Sequence, residues 1–262
     1  MATLGDALLT ALIAAYPLRH GRKALLRFAA ARLGGPVPWT MADGTRLLLD
    51  PRNYIDREIV LKGGYEAEAI AAFCREARSC DAVLDIGANI GLYSIAVARA
   101  TQAEVIAFEP DPRNLAQFQA NLFLNGLETR VKARGEAVGA AAAEATLYAQ
   151  RDVKDFSTAL SGLAERAPGS IEVAVPVVAL DLAYPWRGRR LAIKMDIEGY
   201  ELQALAGMTS LLANNSVFLQ IEIAPANRDA AREVLTRCGL AERPMPDPAG
   251  KDHYFASVAV TR

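Results

Sequence analysis

Apolar and polar positions divide the chain into two regimes. In the first 33 residues Leu4, Ala7, Leu8, Ala11, Leu12 and Ala15 recur on one helical face. Pro17 interrupts that pattern, and a second helix is expected beyond it, with Arg19, Lys23 and Arg27 spaced four apart. "GGPVP" at 34–38 marks a break and a boundary. A short strand over Thr45–Leu49 and the loop "DPRNYIDREI" lead to a helix near Glu66–Arg78. From residue 82 short apolar runs alternate with helical stretches. "AVLDIG" (82–87), "EVIAFEP" (104–110), "RVKARGEAV" (130–138), "RLAIKMD" (190–196) and "SVFLQIEIA" (216–224) read as strands. Helices are expected over 112–125, 200–213 and 227–238, and a last strand near "HYFASVAVT". Residues 143–178 read as an excursion of strand and turn, a hairpin.

Strands alternating with helices in this way imply an α/β fold, with a mostly parallel sheet covered on both faces. The expected organisation is an N-terminal helical extension over 1–43 and a Rossmann-like domain over 44–262. At 262 residues and 52% apolar, the chain can bury a sizeable core.

Charge changes the picture at one end. Residues 1–40 carry five basic side chains against one acid, so an overall charge of −1 leaves −5 on the remaining 222 residues. A basic helix at the start is a solvated face or a peripheral contact with an anionic membrane surface. The run Ala7–Tyr16 is too short to span a bilayer, which needs roughly 20 residues, and lacks a secretory cleavage pattern. Cys74, Cys80 and Cys238 form no C-x-x-C pair, and with two histidines a zinc site is not expected. A reducing cytoplasm fits best. An acidic core without aromatic-rich basic patches argues against nucleic acid.

"LDIGANIG" (84–91) carries the most chemistry. A strand ends in Asp85, turns through Gly87, Ala88, Asn89 and Gly91, and opens a helix. Glycine allows close approach of a ligand to backbone, and Asn tolerates a left-handed conformation. Glu109 ends the next strand, 18 residues beyond Gly91, where an acid can hold ribose hydroxyls. Counting from Gly87, Asn89 and Leu92 stand where a dinucleotide loop wants its second and third glycines. Asp85 disfavours a diphosphate but suits a ligand with sulfonium and ammonium charges, such as S-adenosylmethionine.

"VLDIGANIGLYS", "AFEPDPRNLAQFQANLFLNG" and "IKMDIEGYELQALAGM", led in by "GGYEAEAI" (63–70), together resemble the FkbM family of S-adenosylmethionine-dependent methyltransferases over roughly residues 44–224. The resemblance implies a class I methyltransferase fold and O-methylation of a hydroxyl on a sugar, glycan or related natural product, as in polysaccharide biosynthesis. It implies that Tyr65 and Glu66 reach the cofactor's amino-acid end, that Glu109 and Pro110 border the ribose, and that Glu136 and Ala137, ending the third strand, lie by the adenine. It also sets "KMDIEGYE" (194–201) beside the transferred methyl group.

In that stretch strand alternation points Lys194 and Asp196 to one face. Glu222, ending the neighbouring strand, should lie close to Asp196. Asp196 or Glu198 is then the expected general base, with Lys194 orienting it. Glu201 suits the first turn of a helix, where the dipole favours acids. Two alternatives stay open for the site: Mg²⁺ held by Asp196, Glu198 and Glu222, and no turnover at all, the chain serving as a cofactor-binding interaction module. An NAD-dependent oxidoreductase comes third.

Overall fold

The computed structural model describes residues 11–12, 35–149, 170–245 and 250–258. The basic helix carrying Arg19, Lys23 and Arg27 and the loop "DFSTALSG" (155–162) lie outside them. In chain order the elements are strands β1 (Val37–Thr40) and β2 (Arg46–Leu49), helices α1 (Tyr54–Lys62) and α2 (Ala67–Ala77), β3 (Ala82–Ile86), α3 (Leu92–Ala100), β4 (Glu104–Phe108) and α4 (Pro112–Asn125). There follow β5 (Val131–Arg134), β6 (Ala137–Val138), β7 (Ala143–Ala149), β8 (Ile171–Val178), α5 (Leu180–Ala183) and β9 (Arg190–Met195). The rest is α6 (Glu201–Ala206), α7 (Thr209–Ala213), β10 (Ser216–Glu222), α8 (Arg228–Arg237), β11 (Leu240–Glu242) and β12 (Asp252–Ser257).

Seven strands form the central sheet in the order β11-β12-β10-β9-β3-β4-β5. The five from β10 to β5 are parallel, and β12 and β11 add antiparallel pairs at one edge. This is the Rossmann-like arrangement of class I methyltransferases. Strand order reverses between β3 and β9, and ligands of open α/β sheets sit at such a switch point, outside the carboxyl ends of the strands.

Alternation along each strand sorts its side chains into two cores. Val83, Ala107, Ala192 and Phe218 face a cluster with Ile59, Phe73, Ile95 and Phe118. Leu84, Ile106, Ile193 and Leu219 face the opposite cluster, with Leu205, Leu212 and Leu235. The helix at 200–213 is broken in two at Gly207, where a side chain would collide with the backbone of Gly139.

Three expectations are corrected. "DPRNYIDREI" is not a loop: Asn53 caps α1 by accepting the Ile55 N–H, and Asp56, Arg57 and Glu58 are buried. The third strand ends at Arg134, and Ala137 pairs with Val177 in a separate three-stranded sheet of β6, β8 and β7. That sheet contains the expected hairpin, as β7 and β8. Lastly, β1 and β2 form an antiparallel hairpin that spans the 43/44 boundary, so strand begins at Val37, inside the stretch expected to be helical. Among the described residues, no helix is long and apolar enough to cross a membrane.

Candidate active site

The site begins as two polar rows on one face of an otherwise apolar sheet. Asp85 of β3 is in register with Lys194 of β9, Lys194 with Gln220 of β10, and Gln220 with Tyr254 of β12. One alternation further on, Glu222 pairs with Asp252, and Asp196 follows the last paired residue of β9. The Asp196 N–H donates to the Ile86 carbonyl at 3.0 Å, so β3 and β9 stay joined past their ends. Gly87, at φ +82°, lies against this junction, and any side chain there would collide with the Asp196 carbonyl oxygen. Glycine is required at this position both for its conformation and for its lack of a Cβ.

The turn after β3 consumes its own donors. The N–H groups of Gly87 and Ala88 both donate to the Phe108 carbonyl, and that of Gly91 to Ala88. Asn89 N–H donates to Glu109 Oε2 at 2.7 Å. With those amides bound internally, the turn is not a cradle for a diphosphate. Gly91, at φ +90°, lets α3 start against the face of Phe118.

Glu109 is buried, accepting also the Asp111 N–H and the Asn114 amide through Oε1. Burial pushes its carboxyl up to about 7, partly offset by those hydrogen bonds. A carboxylate has about four lone-pair sites, so Oε2 keeps capacity for a hydroxyl. The side-chain oxygen of Asn89 is buried without a partner, and an orphaned acceptor at this turn also suits a donor on a ligand. Pro110 follows Glu109 into the cap of α4.

Four further carboxyl groups cluster nearby. Glu66, left-handed at φ 48° ahead of α2, accepts a hydrogen bond from the Tyr93 hydroxyl at 3.2 Å. Burial raises it, with Lys194 opposing. Glu198, at φ 50°, is pushed up to about 7 by burial and then by the Asp196 and Glu222 carboxylates. Glu222 is raised by burial and by Asp196, and Lys251 pairs with it at 3.2 Å. Tyr65 is held protonated by burial and by Glu66, Asp196 and Glu222. Among the described residues the non-glycine positions with positive φ are Glu66, Asn89 and Glu198, and all three border this region. Such strain, roughly 1–3 kcal/mol each, persists where surrounding structure enforces it, and it clusters at functional sites.

Other expected residues fall elsewhere or act differently. Glu136 ion-pairs with Arg134 at the turn after β5, so it does not end a strand, and Ala137 is buried in the small sheet. Lys194 is only 4% exposed and lies beneath the cleft rather than in it. Glu201 is buried, accepting the Gly199 N–H and the Asn227 amide, which makes it a brace for the loop after β9. His253 pairs with Glu242 on β11. No group of three His, Cys, Asp or Glu among the described residues is disposed to hold a metal ion. Sequence reasoning missed Tyr93, Gln220 and Asp252. Its available signal was a polar residue inside three adjacent apolar strands, at Asp85, Lys194 and Gln220.

A family model described as the methyltransferase FkbM domain matches residues 85–240. No curated protein matches the chain. Among solved structures it is similar to a methyltransferase FkbM from Methylobacillus flagellatus KT, at 14% identity and a TM-score of 0.47, over 96% of this chain and 59% of that one. It thus spans less than two thirds of that relative. It is also similar to ribosomal protein L11 methylase from Lactobacillus delbrueckii subsp. bulgaricus, at 13% identity and TM-score 0.43, over 74% and 79% of the two chains. A third is precorrin-6y C5,15-methyltransferase from Geobacter metallireducens GS-15, at 17% identity and TM-score 0.41, over 72% and 85%.

Proposed function

Since the chain belongs to the FkbM methyltransferase family, we propose that it uses S-adenosylmethionine to methylate a hydroxyl, on a sugar, glycan or related natural product. The cofactor supplies a methyl group on a positively charged sulfur. The residues present fit it: a turn with its amides bound internally, an orphaned Asn89 oxygen, the buried acid Glu109 and a cleft rich in carboxylates. Glu109 and Asn89 would face the ribose, and Glu66 and Tyr65 the amino-acid end.

The observation that carries the oxygen-directed reading is Glu198. An attacking hydroxyl must lose its proton, and a base works best when its pKa lies near the working pH. Glu198, pushed up to about 7 by burial and by Asp196 and Glu222, meets that condition. Its carboxylate takes the hydroxyl proton as the oxygen gains the methyl, and passes it to water afterwards. Asp196, beside Lys194, serves as the fixed charge that tunes it. Of the two bases left open by the sequence, Glu198 is therefore assigned the role.

The test is methyl transfer from isotopically labelled S-adenosylmethionine to a panel of glycans, with mass spectrometry locating the label on oxygen. Activity should rise with pH through about 7 and level off, because the base works only when deprotonated. Glu198→Gln should lower kcat by about 10²–10⁴ and abolish that limb. A pH-independent rate between 6 and 8, or full turnover by the variant, contradicts the assignment. Label recovered on nitrogen or carbon contradicts the oxygen acceptor.

A further inference from the structure

A cation sealed inside a sheet core is costly unless it is paired, and Lys194 is paired from every side. Its ammonium lies 3.3 Å from Asp196 Oδ2 on its own strand and 5.2 Å from the centre of the Tyr93 ring on α3. Asp85 on β3, Asp252 on β12 and Glu66 ahead of α2 complete its charged surroundings. Burial alone would lower its pKa, but these four carboxylates outweigh burial and hold it above lysine's ordinary value. The ammonium therefore keeps its proton and cannot serve as a base.

The carboxylates are themselves anchored to one another. Ser94 donates to Asp85 at 2.6 Å. Gln220 donates at 2.9 Å to the Tyr93 hydroxyl and at 2.8 Å to Asp252. The Tyr93 hydroxyl in turn donates to Glu66. This chain runs from the lead-in to α2, through α3 and β10, to the last strand, and the Lys194 ammonium lies over the Tyr93 ring at its middle.

The geometry points to Lys194 as a positioning residue: its buried charge draws Glu66, Asp85, Asp196 and Asp252, from four separate segments, into one converged set at the floor of the cleft. Its importance to catalysis rests on the cofactor reading above. Its role in gathering these carboxylates does not.

The test compares wild type, Lys194→Met and the double variant Lys194→Met/Asp252→Asn, which removes one charge of each sign. Thermal unfolding and calorimetric titration of S-adenosylmethionine are each measured from pH 5.5 to 8.5. Without the ammonium the carboxyl pKa values rise in the folded state. Stability should then fall more steeply than in wild type as pH increases, because the crowded acids ionise without compensation. Cofactor affinity should weaken at least tenfold more than in wild type as pH decreases, because the acids that face its cationic groups take up protons. The double variant should recover at least half of both changes. Met fills much of the lysine's volume, so a packing role alone predicts parallel pH profiles in all three proteins, and that result overturns the proposal. If Lys194→Met does not fold, recovery of a folded protein by the double variant supports the charge argument, and its failure overturns it. If wild type binds no S-adenosylmethionine, the cofactor reading falls and the unfolding profiles still decide the role of Lys194.

Discussion

Asp56 shows how a single side chain can set the pH response of this molecule. It lies in the first turn of α1, fully buried, with Oδ2 accepting the Asp50 N–H at 2.6 Å and the Gln117 amide at 2.7 Å. Burial pushes its carboxyl up to about 7, against 3.8 for a free aspartate. A folded-state value above the unfolded one means that its stabilising contribution is complete below pH 4 and lost as pH rises through 7. Asp56→Asn should flatten the unfolding free energy between pH 5 and 8. At pH 8 it should leave the protein about 1–3 kcal/mol more stable, after allowing for an amide proton left unbonded. Urea unfolding at the two pH values measures this, and parallel wild-type and variant profiles would contradict it. The same residue marks a limit of sequence reading. "DPRNYIDREI" looks like a solvated loop because five of its ten residues are charged. The clue to a helix was Asn53 with an acid three residues on, a capping pattern. That Asp56, Arg57 and Glu58 are buried depends on Asp50 and Gln117, partners that no local window contains.

At the scale of elements, α4 ties the edge hairpin to the cofactor turn through one buried asparagine. The Leu48 N–H of β2 donates to Asn121 Oδ1 at 2.6 Å, and Asn121 Nδ2 donates to the carbonyl of Ile90, in the turn before α3, at 3.0 Å. Asn125 repeats the link at the helix end, bonding both the N–H and the carbonyl of Arg46. Asn121→Ala would leave a donor and an acceptor unsatisfied in the interior, at about 1–3 kcal/mol each. The expected outcome is a loss of about 2–4 kcal/mol in urea unfolding, together with weaker cofactor binding because Ile90 adjoins Asn89. Unchanged stability would show that the hairpin is not held there. The core strands were legible because each is a short apolar run closed by Gly, Asp or Glu. The division of "RVKARGEAV" into β5 and β6 was not, since Ala137 leaves the main sheet to pair with Val177, forty residues away. Apolar periodicity gives no sign of which sheet a strand will join.

For the whole molecule, strand order places the cleft where the sheet reverses direction, between β3 and β9. Every acid of the catalytic reading lies there or on the adjacent ends of β10 and β12. The charged stretch at 194–201, so odd beside a buried strand, separates on folding into distinct roles. Lys194 goes beneath the floor, Asp196 and Glu198 to the cleft, and Glu201 to bracing the loop. Residue types and spacing revealed that chemistry would sit there. Roles within the stretch required the register that sets Lys194 between Asp85 and Gln220. The most direct test of the account is calorimetric titration of S-adenosylmethionine, and separately of NADH, into the wild-type protein and into Glu109→Gln. The account predicts binding of S-adenosylmethionine at micromolar concentrations, lost or much weakened in the variant, and no binding of NADH. A folded wild-type protein that binds NADH, or that takes up S-adenosylmethionine no better than Glu109→Gln does, would contradict it.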